Sequence, residues 1–352
     1  MKSILVLASL AIPLFVVAHR EPTTPEEIEV QRSLQAAAYY CAPAVEQFTA
    51  QRKRSWAQSV LSGRPALTGY EDLFDPTVYH DLAASEQGAG GQKLLSCVEE
   101  SSTEIRNNTC VLAPEVTEGP YYHNFGHPIR QNIAELQSGL LLLLDIGVID
   151  IETCKPLPNV LIDIWHANAT GYYAGHPHPA PHLVDEKPAT EGRRKGLRTG
   201  YPRTVDEEKW LRGAWPTNEK GVAQFSTIFP GYYTGRALHV HVKVFPDWQV
   251  LPNNTFRGGS LAHVGQFFFD DELEAAIDEM WPYVNNPIRN TLGRTRNWDD
   301  SLNIFNDSHG PEGDYNPIFK VDKLGAIIDH GLNAFITMGI NRSASYDNFW
   351  KG

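Results

Sequence analysis

The chain has 352 residues, a formal net charge of −12 and an ordinary globular composition, 42% of it hydrophobic. That length can bury a full core in one or two domains. The densest basic stretches are Arg52-Lys53-Arg54 and Arg193-Arg194-Lys195, too little to meet a phosphate backbone, so no nucleic-acid partner is expected.

Residues 1–18 read as a secretory signal. Lys2 supplies the positive start, Ile4 to Val17 is apolar, and Val16-Val17-Ala18 suits cleavage after Ala18. The apolar run is too short for a bilayer span and no later segment reaches that length, so no membrane association is expected. A secreted, extracellular protein agrees with five Asn-X-Ser/Thr acceptors, at Asn107, Asn168, Asn253, Asn306 and Asn341. In an oxidising compartment the four cysteines would form disulfides rather than a zinc site, since none stands in a C-x-x-C pair. Three pairings are open. The expectation here is Cys41–Cys97 and Cys110–Cys154, the second bridge fixing the start of the β region.

Residues 19–110 read as a helical N-terminal region. Thr24-Pro25-Glu26-Glu27 is a helix start, and apolar positions recur at helical spacing over 24–62, with a break expected near Pro43. After Cys110 the pattern changes. Strands are expected at Leu140 to Val148, Val160 to Trp165, Gly221 to Ile228, His239 to Val244 and Ala334 to Ile340, with a short helix from Asp271 to Trp281. Short strands punctuated by Pro and Gly argue a mainly β fold, a sandwich or barrel. Residues 174–209, rich in Pro, His, Gly and charge, read as a long surface loop.

The richest segment is Phe229-Pro-Gly-Tyr-Tyr-Thr-Gly-Arg-Ala-Leu-His-Val-His-Val-Lys-Val244. On a strand His239 and His241 project from one face, Val240 and Val242 from the other, so two imidazoles can close on one metal. Alone, this spacing also fits zinc, copper or two solvated histidines. Tyr172-Tyr173 and Tyr232-Tyr233 each read more simply as core. Together, two phenolates and two imidazoles would favour iron(III), because hard anionic oxygens stabilise a highly charged ion.

The sequence resembles the intradiol ring-cleavage dioxygenases, in particular their secreted fungal-type branch. The likeness lies in Thr117-Glu-Gly-Pro-Tyr-Tyr122, Asp163-Ile-Trp-His-Ala-Asn-Ala-Thr-Gly-Tyr-Tyr173, Leu211-Arg-Gly213, Phe229-Pro-Gly-Tyr-Tyr-Thr-Gly-Arg236 and His239-Val-His241. These motifs occur in the family's order over roughly residues 110 to 245. The resemblance implies a β-sandwich catalytic domain over 111–345 with helices and long loops around it. It implies Fe(3+) held by Tyr173, Tyr233, His239 and His241, with Tyr233 the displaceable ligand and a base for a substrate proton. Arg236 would act on the substrate's charge, which requires a kink at Gly235, because its offset on a regular strand points away from the histidines. Gln266 and Tyr122 would line the substrate pocket. Departures from the family pattern are Trp215, Asn218 and Ala174. Trp215 would either reshape the pocket or pack. His176, His178 and His182 are expected in a solvated loop rather than on a second metal.

The activity implied is cleavage of a catechol-type ring between its hydroxylated carbons, with O2, to a muconate-type diacid. The secreted branch would act as a monomer. Two rivals stand beside it: a secreted β-sandwich binding module for phenolics or glycans with a vestigial metal site, and a zinc hydrolase using His239 and His241.

Overall fold

Alternating apolar residues along the strands create the two-layer architecture of this chain. A computed structural model describes residues 24–61, 116, 119, 121–123, 126–176, 207–233, 235–302, 304 and 316–345. The expected signal segment, Cys97, Cys110, Asn107, Asn306, His178 and His182 lie outside the described residues. In chain order the elements are helix α1 (Pro25–Leu61) and strands β1 (Leu141–Asp150), β2 (Lys155–Pro156), β3 (Leu161–Trp165), β4 (Arg212–Pro216), β5 (Val222–Ile228) and β6 (His239–Phe245). A short ribbon, β7 (Trp248–Val250) and β8 (Phe256–Gly258), leads to β9 (His263–Phe268), helix α2 (Asp271–Ile277), β10 (Lys320–Lys323) and β11 (Leu332–Ile340).

One sheet runs β10-β11-β1-β2, with β5 also paired to β1; the other runs β4-β3-β6-β9. The pairs are antiparallel except β1 with β11, which lie parallel from Leu142↔Leu332 to Asp150↔Ile340. The core between the sheets takes Leu142, Leu144, Ile146 and Val148 from β1, Ile162 and Ile164 from β3, and Val240, Val242 and Val244 from β6. Each such side chain contributes roughly 1.5–3 kcal/mol by leaving water. The fold is the expected β-sandwich. Helix α2 stops at Ile277, short of the expected Trp281, and a tight turn at Tyr283–Asn285 follows.

Strand β1 is buried on both faces because α1 lies across its outer side. Cys41 and Val45 pack on Ile149, and the Trp56 ring meets Phe335 edge-on at 5.7 Å. The seat is also polar. Arg52 Nε donates to Asp145 Oδ1 at 2.6 Å and Arg52 Nη1 to Thr337 Oγ1 at 2.8 Å, while Lys53 Nζ pairs with Asp322 Oδ2 at 3.1 Å.

Two expectations are corrected here. Helix α1 continues through Pro43 instead of breaking. The proline removes one backbone bond, a cost of about 3 kcal/mol, and the following turns offset it by packing Val45, Thr49, Arg52 and Trp56 against the sheet. The disulfide is Cys41–Cys154, Cα–Cα 5.0 Å, not Cys41–Cys97 with Cys110–Cys154. Pairing followed three-dimensional neighbours: α1 brings Cys41 over the turn that leaves β1. The bridge closes a sequence separation of 113 residues, worth roughly 2–4 kcal/mol. Non-reducing peptide mapping should link the Cys41 and Cys154 peptides, whereas a Cys41–Cys97 link would contradict this arrangement.

Candidate metal centre

Strand alternation leaves His239, His241 and Lys243 on the outer face of the second sheet, opposite the valines that fill the core. The two tyrosine segments meet over this face. Gly231 N donates to Asn168 O at 2.9 Å, and Gly171, at φ +86°, lies so close to Tyr232 O that a Cβ there would collide with it. Only glycine accepts both the conformation and the approach. This crossing places Tyr173 and Tyr233 with ring centroids 5.4 Å apart. The Asn168 side chain is consumed locally: its oxygen accepts from Thr170 N, Thr170 Oγ1 and Tyr172 N, and its amide donates to Gln137 Oε1. The acceptor Asn253 is exposed, and its oxygen likewise accepts from Thr255 N and Thr255 Oγ1.

All four predicted donors come together. His239 Nδ1 donates to Ala237 O at 2.6 Å, which turns its Nε2 lone pair inward. That nitrogen lies 3.0 Å from His241 Nε2 and accepts from the Tyr233 hydroxyl at 3.3 Å. The Tyr173 ring is 6.1 Å from the His241 ring, and its buried hydroxyl has no hydrogen-bond partner among the described residues. Burial, then Arg236, holds the His239 imidazole well below its usual range. Burial, then His239 and Arg236, does the same for His241. Both rings are therefore neutral, with lone pairs to give. Burial first, then the neighbouring Tyr233, pushes the Tyr173 phenol well up, so it would ionise only against a strongly charged cation. Among the described residues no group of three or more His, Cys, Asp or Glu is placed to hold a metal. The donor set here is mixed phenol and imidazole.

Comparison with known proteins bears on this geometry. No protein-family model matches the chain. A catechol 1,2-dioxygenase 2 of Acinetobacter lwoffii is 25% identical over 186 residues, which is 52% of this chain and 62% of that protein. The match thus spans less than two thirds of that relative's length. The structure of an intradiol ring-cleavage dioxygenase from Tetranychus urticae superposes with a TM-score of 0.50 at 28% identity, covering 68% of this chain and 98% of that one. In sequence and fold the chain is similar to intradiol ring-cleavage dioxygenases.

Around the four donors, Arg236 stands where expected. Gly235, at φ +69°, supplies the kink that turns the arginine back to the histidine side. Arg236 Nη1 donates to the Tyr233 hydroxyl at 3.4 Å, Nη2 to Gln266 Oε1, and Nε to both oxygens of Asp300 at 3.1 and 3.2 Å. Gln266 is thus brought to the site, opposite His241 on β9. Tyr122 is beside the donors rather than among them: its hydroxyl donates to Asp163 Oδ2 at 2.9 Å and its ring packs 4.8 Å from Trp165.

Several residues escaped the sequence reading. Asp300 carried no local signal. Trp165 and Arg212 sat inside matching motifs with no role assigned, yet Trp165 stacks on His241 and Arg212 lies 5.9 Å over the Tyr173 ring. His176 is corrected: it is buried, edge-on to Tyr121 at 4.9 Å, not solvated. Its backbone N donates to Tyr173 O at 3.0 Å, and the neighbouring Gly175 N donates to Glu208 Oε2 at 3.0 Å. Trp215 packs on the inter-sheet core.

His166, bonded to Thr227 Oγ1 and Ala167 O at 2.8 Å each, makes stability pH-dependent. Burial brings its pKa down to about 4. The folded value lies below the unfolded one near 6.5, so the unfolded chain takes up the proton first. The contribution is present above pH ~6.5 and is lost as pH falls through about 4, a total of about 3 kcal/mol. Denaturant titrations of metal-free protein across that window should show the loss, and His166→Gln should flatten it. An equal slope in the variant would rule the histidine out as its source.

Proposed function

We propose that this chain is a secreted, monomeric non-haem iron(III) dioxygenase. It opens a catechol-type ring between the two hydroxylated carbons to a muconate-type diacid, taking both atoms from O2. The observation that carries the reading is the convergence of two phenols and two neutral imidazoles on one buried point, with His239 and His241 Nε2 atoms 3.0 Å apart. Two imidazole nitrogens turned to one buried point at that distance can be bridged by a shared cation.

Tyr173, Tyr233, His239 and His241 would hold the iron. Bound iron(III) supplies Lewis acidity that orients the catecholate and tunes its electrons for attack by O2. The chain's own groups do the rest. The Tyr233 oxygen would take a substrate hydroxyl proton. Arg236, at hydrogen-bond reach of that oxygen, stabilises negative charge as it develops on the substrate. Asp300 and Gln266 fix the guanidinium from two sides. Tyr121, stacked 4.4 Å from the Tyr173 ring, and Trp165 keep water from the donor atoms.

Purified protein loaded with iron(III) should be wine-red through tyrosinate-to-iron charge transfer, and Tyr173→Phe should weaken both metal binding and colour. Aerobic incubation with catechol or hydroxyquinol should give the muconate-type diacid. Iron-replete protein with no visible band favours a vestigial site on a binding module, and preferential loading with zinc favours a hydrolase. An extradiol semialdehyde as product would reject the intradiol assignment of the activity.

A further inference from the structure

Metal-binding histidines almost always fix their orientation by donating the second ring nitrogen to a carboxylate, a carbonyl or water. His239 obeys this rule through Ala237 O. His241 does not: its Nδ1 is buried and has no hydrogen-bond partner among the described residues. What holds the ring is a flat surface. The Trp165 indole lies parallel to it, centroids 4.5 Å apart with 6° between the planes.

Sheet register builds that stack. Trp165 pairs with His241 across β3 and β6, Arg212 pairs with Trp165 across β4 and β3, and Gln266 pairs with His241 across β6 and β9. Arg212, Trp165, His241 and Gln266 therefore form one rung across all four strands, and all four are buried. Neighbouring strands lie about 4.8 Å apart, which matches the stacking distance without any adjustment of backbone. The indole is itself braced from beyond. The Tyr122 ring packs against it at 4.8 Å and the His127 ring at 5.8 Å. Both are anchored to the fully buried Asp163, Tyr122 through its hydroxyl at 2.9 Å and His127 Nδ1 at 2.5 Å.

We infer that Trp165 is a positioning residue for the metal centre: its indole sets the plane of the His241 imidazole by stacking, in the place a second-nitrogen hydrogen bond holds for His239. The inference rests on the proposed iron(III) reading of the site. A ligated imidazole gains positive character from the metal, which strengthens its attraction to the electron-rich face of an indole.

The test compares Trp165→Phe with Trp165→Met in full-length protein loaded with iron(III). The phenyl ring keeps a flat face, whereas the thioether fills space without one. Iron affinity should fall by about 10–100-fold in Trp165→Met, with altered EPR rhombicity and a shifted charge-transfer band. Trp165→Phe should stay close to the unmutated protein. If the two variants match each other in affinity and EPR spectrum, the residue serves only volume and the inference is overturned. Should Trp165→Met fail to fold, Tyr122→Leu removes the ring that braces the indole. A changed EPR spectrum with iron still bound then supports the positioning role, and an unchanged one overturns it. Unmutated protein that binds no iron fails differently, by removing the metal reading and this role with it.

Discussion

Arg236→Leu should lower ring-opening turnover by about 10²–10³-fold while iron stays bound, the usual cost of one lost electrostatic contact to developing charge. The guanidinium reaches the Tyr233 oxygen and touches none of the other three donors by hydrogen bond, so its loss should leave the visible band in place. Iron content and absorbance measured beside steady-state rates separate the two effects. The drop should fall on kcat more than on KM, because the charge it meets grows in the transition state. Tyr233→Phe should behave differently, slowing substrate deprotonation and also moving the band. An Arg236→Leu enzyme with unmutated turnover would remove the arginine from the chemistry.

Asp145→Ala should cost about 3–5 kcal/mol of stability, because it strands a buried guanidinium. Arg52 and Asp145 side chains are 7% and 6% exposed. The carboxylate also accepts from Gln224 Nε2 at 2.8 Å, and the remaining Arg52 partners, Thr337 Oγ1 and the backbone oxygens of Asp145 and Ile336, carry no charge. For a protein of this size that corresponds to a melting temperature lower by roughly 10 °C. Replacing both partners, Arg52→Met with Asp145→Leu, should recover much of the loss, since an apolar pair of similar volume escapes the desolvation cost. A single variant within about 0.5 kcal/mol of the unmutated protein would show that water reaches the pair.

Much of the sandwich was legible because its central strands carry period-two patterns. The run His239-Val-His-Val-Lys-Val244 announces both a core face and a donor face, and β6 occupies it. Strand β9 was not legible in the same way: Gly265 breaks its pattern and Phe267-Phe-Phe269 is apolar throughout. Strand β4 ends on Pro216, which disguises Arg212–Pro216 as a turn. The four donors and Arg236 were found through motifs, and the kink at Gly235 was required by the arginine's offset. Asp300 lies 64 residues beyond Arg236, and Cys154 lies 113 beyond Cys41. Such pairings depend on how layers stack, which no local spacing records.

The seat of α1 has a consequence for the order in which the molecule can assemble. The helix is synthesised well before its partners, since Arg52 finds Thr337 across 285 residues, and β1 pairs with the equally distant β11, Leu332–Ile340. Until β10 and β11 arrive, Lys53 lacks Asp322, Trp56 lacks Phe335 and Arg52 lacks Thr337. Long-range parallel pairing of this kind makes folding slow. The Cys41–Cys154 crosslink needs none of the residues that build β5 to β11, so oxidation can tether the helix to the nascent sheet before the final strand closes it. Reduced protein should therefore refold more slowly than oxidised protein, with the delay falling on the docking of α1.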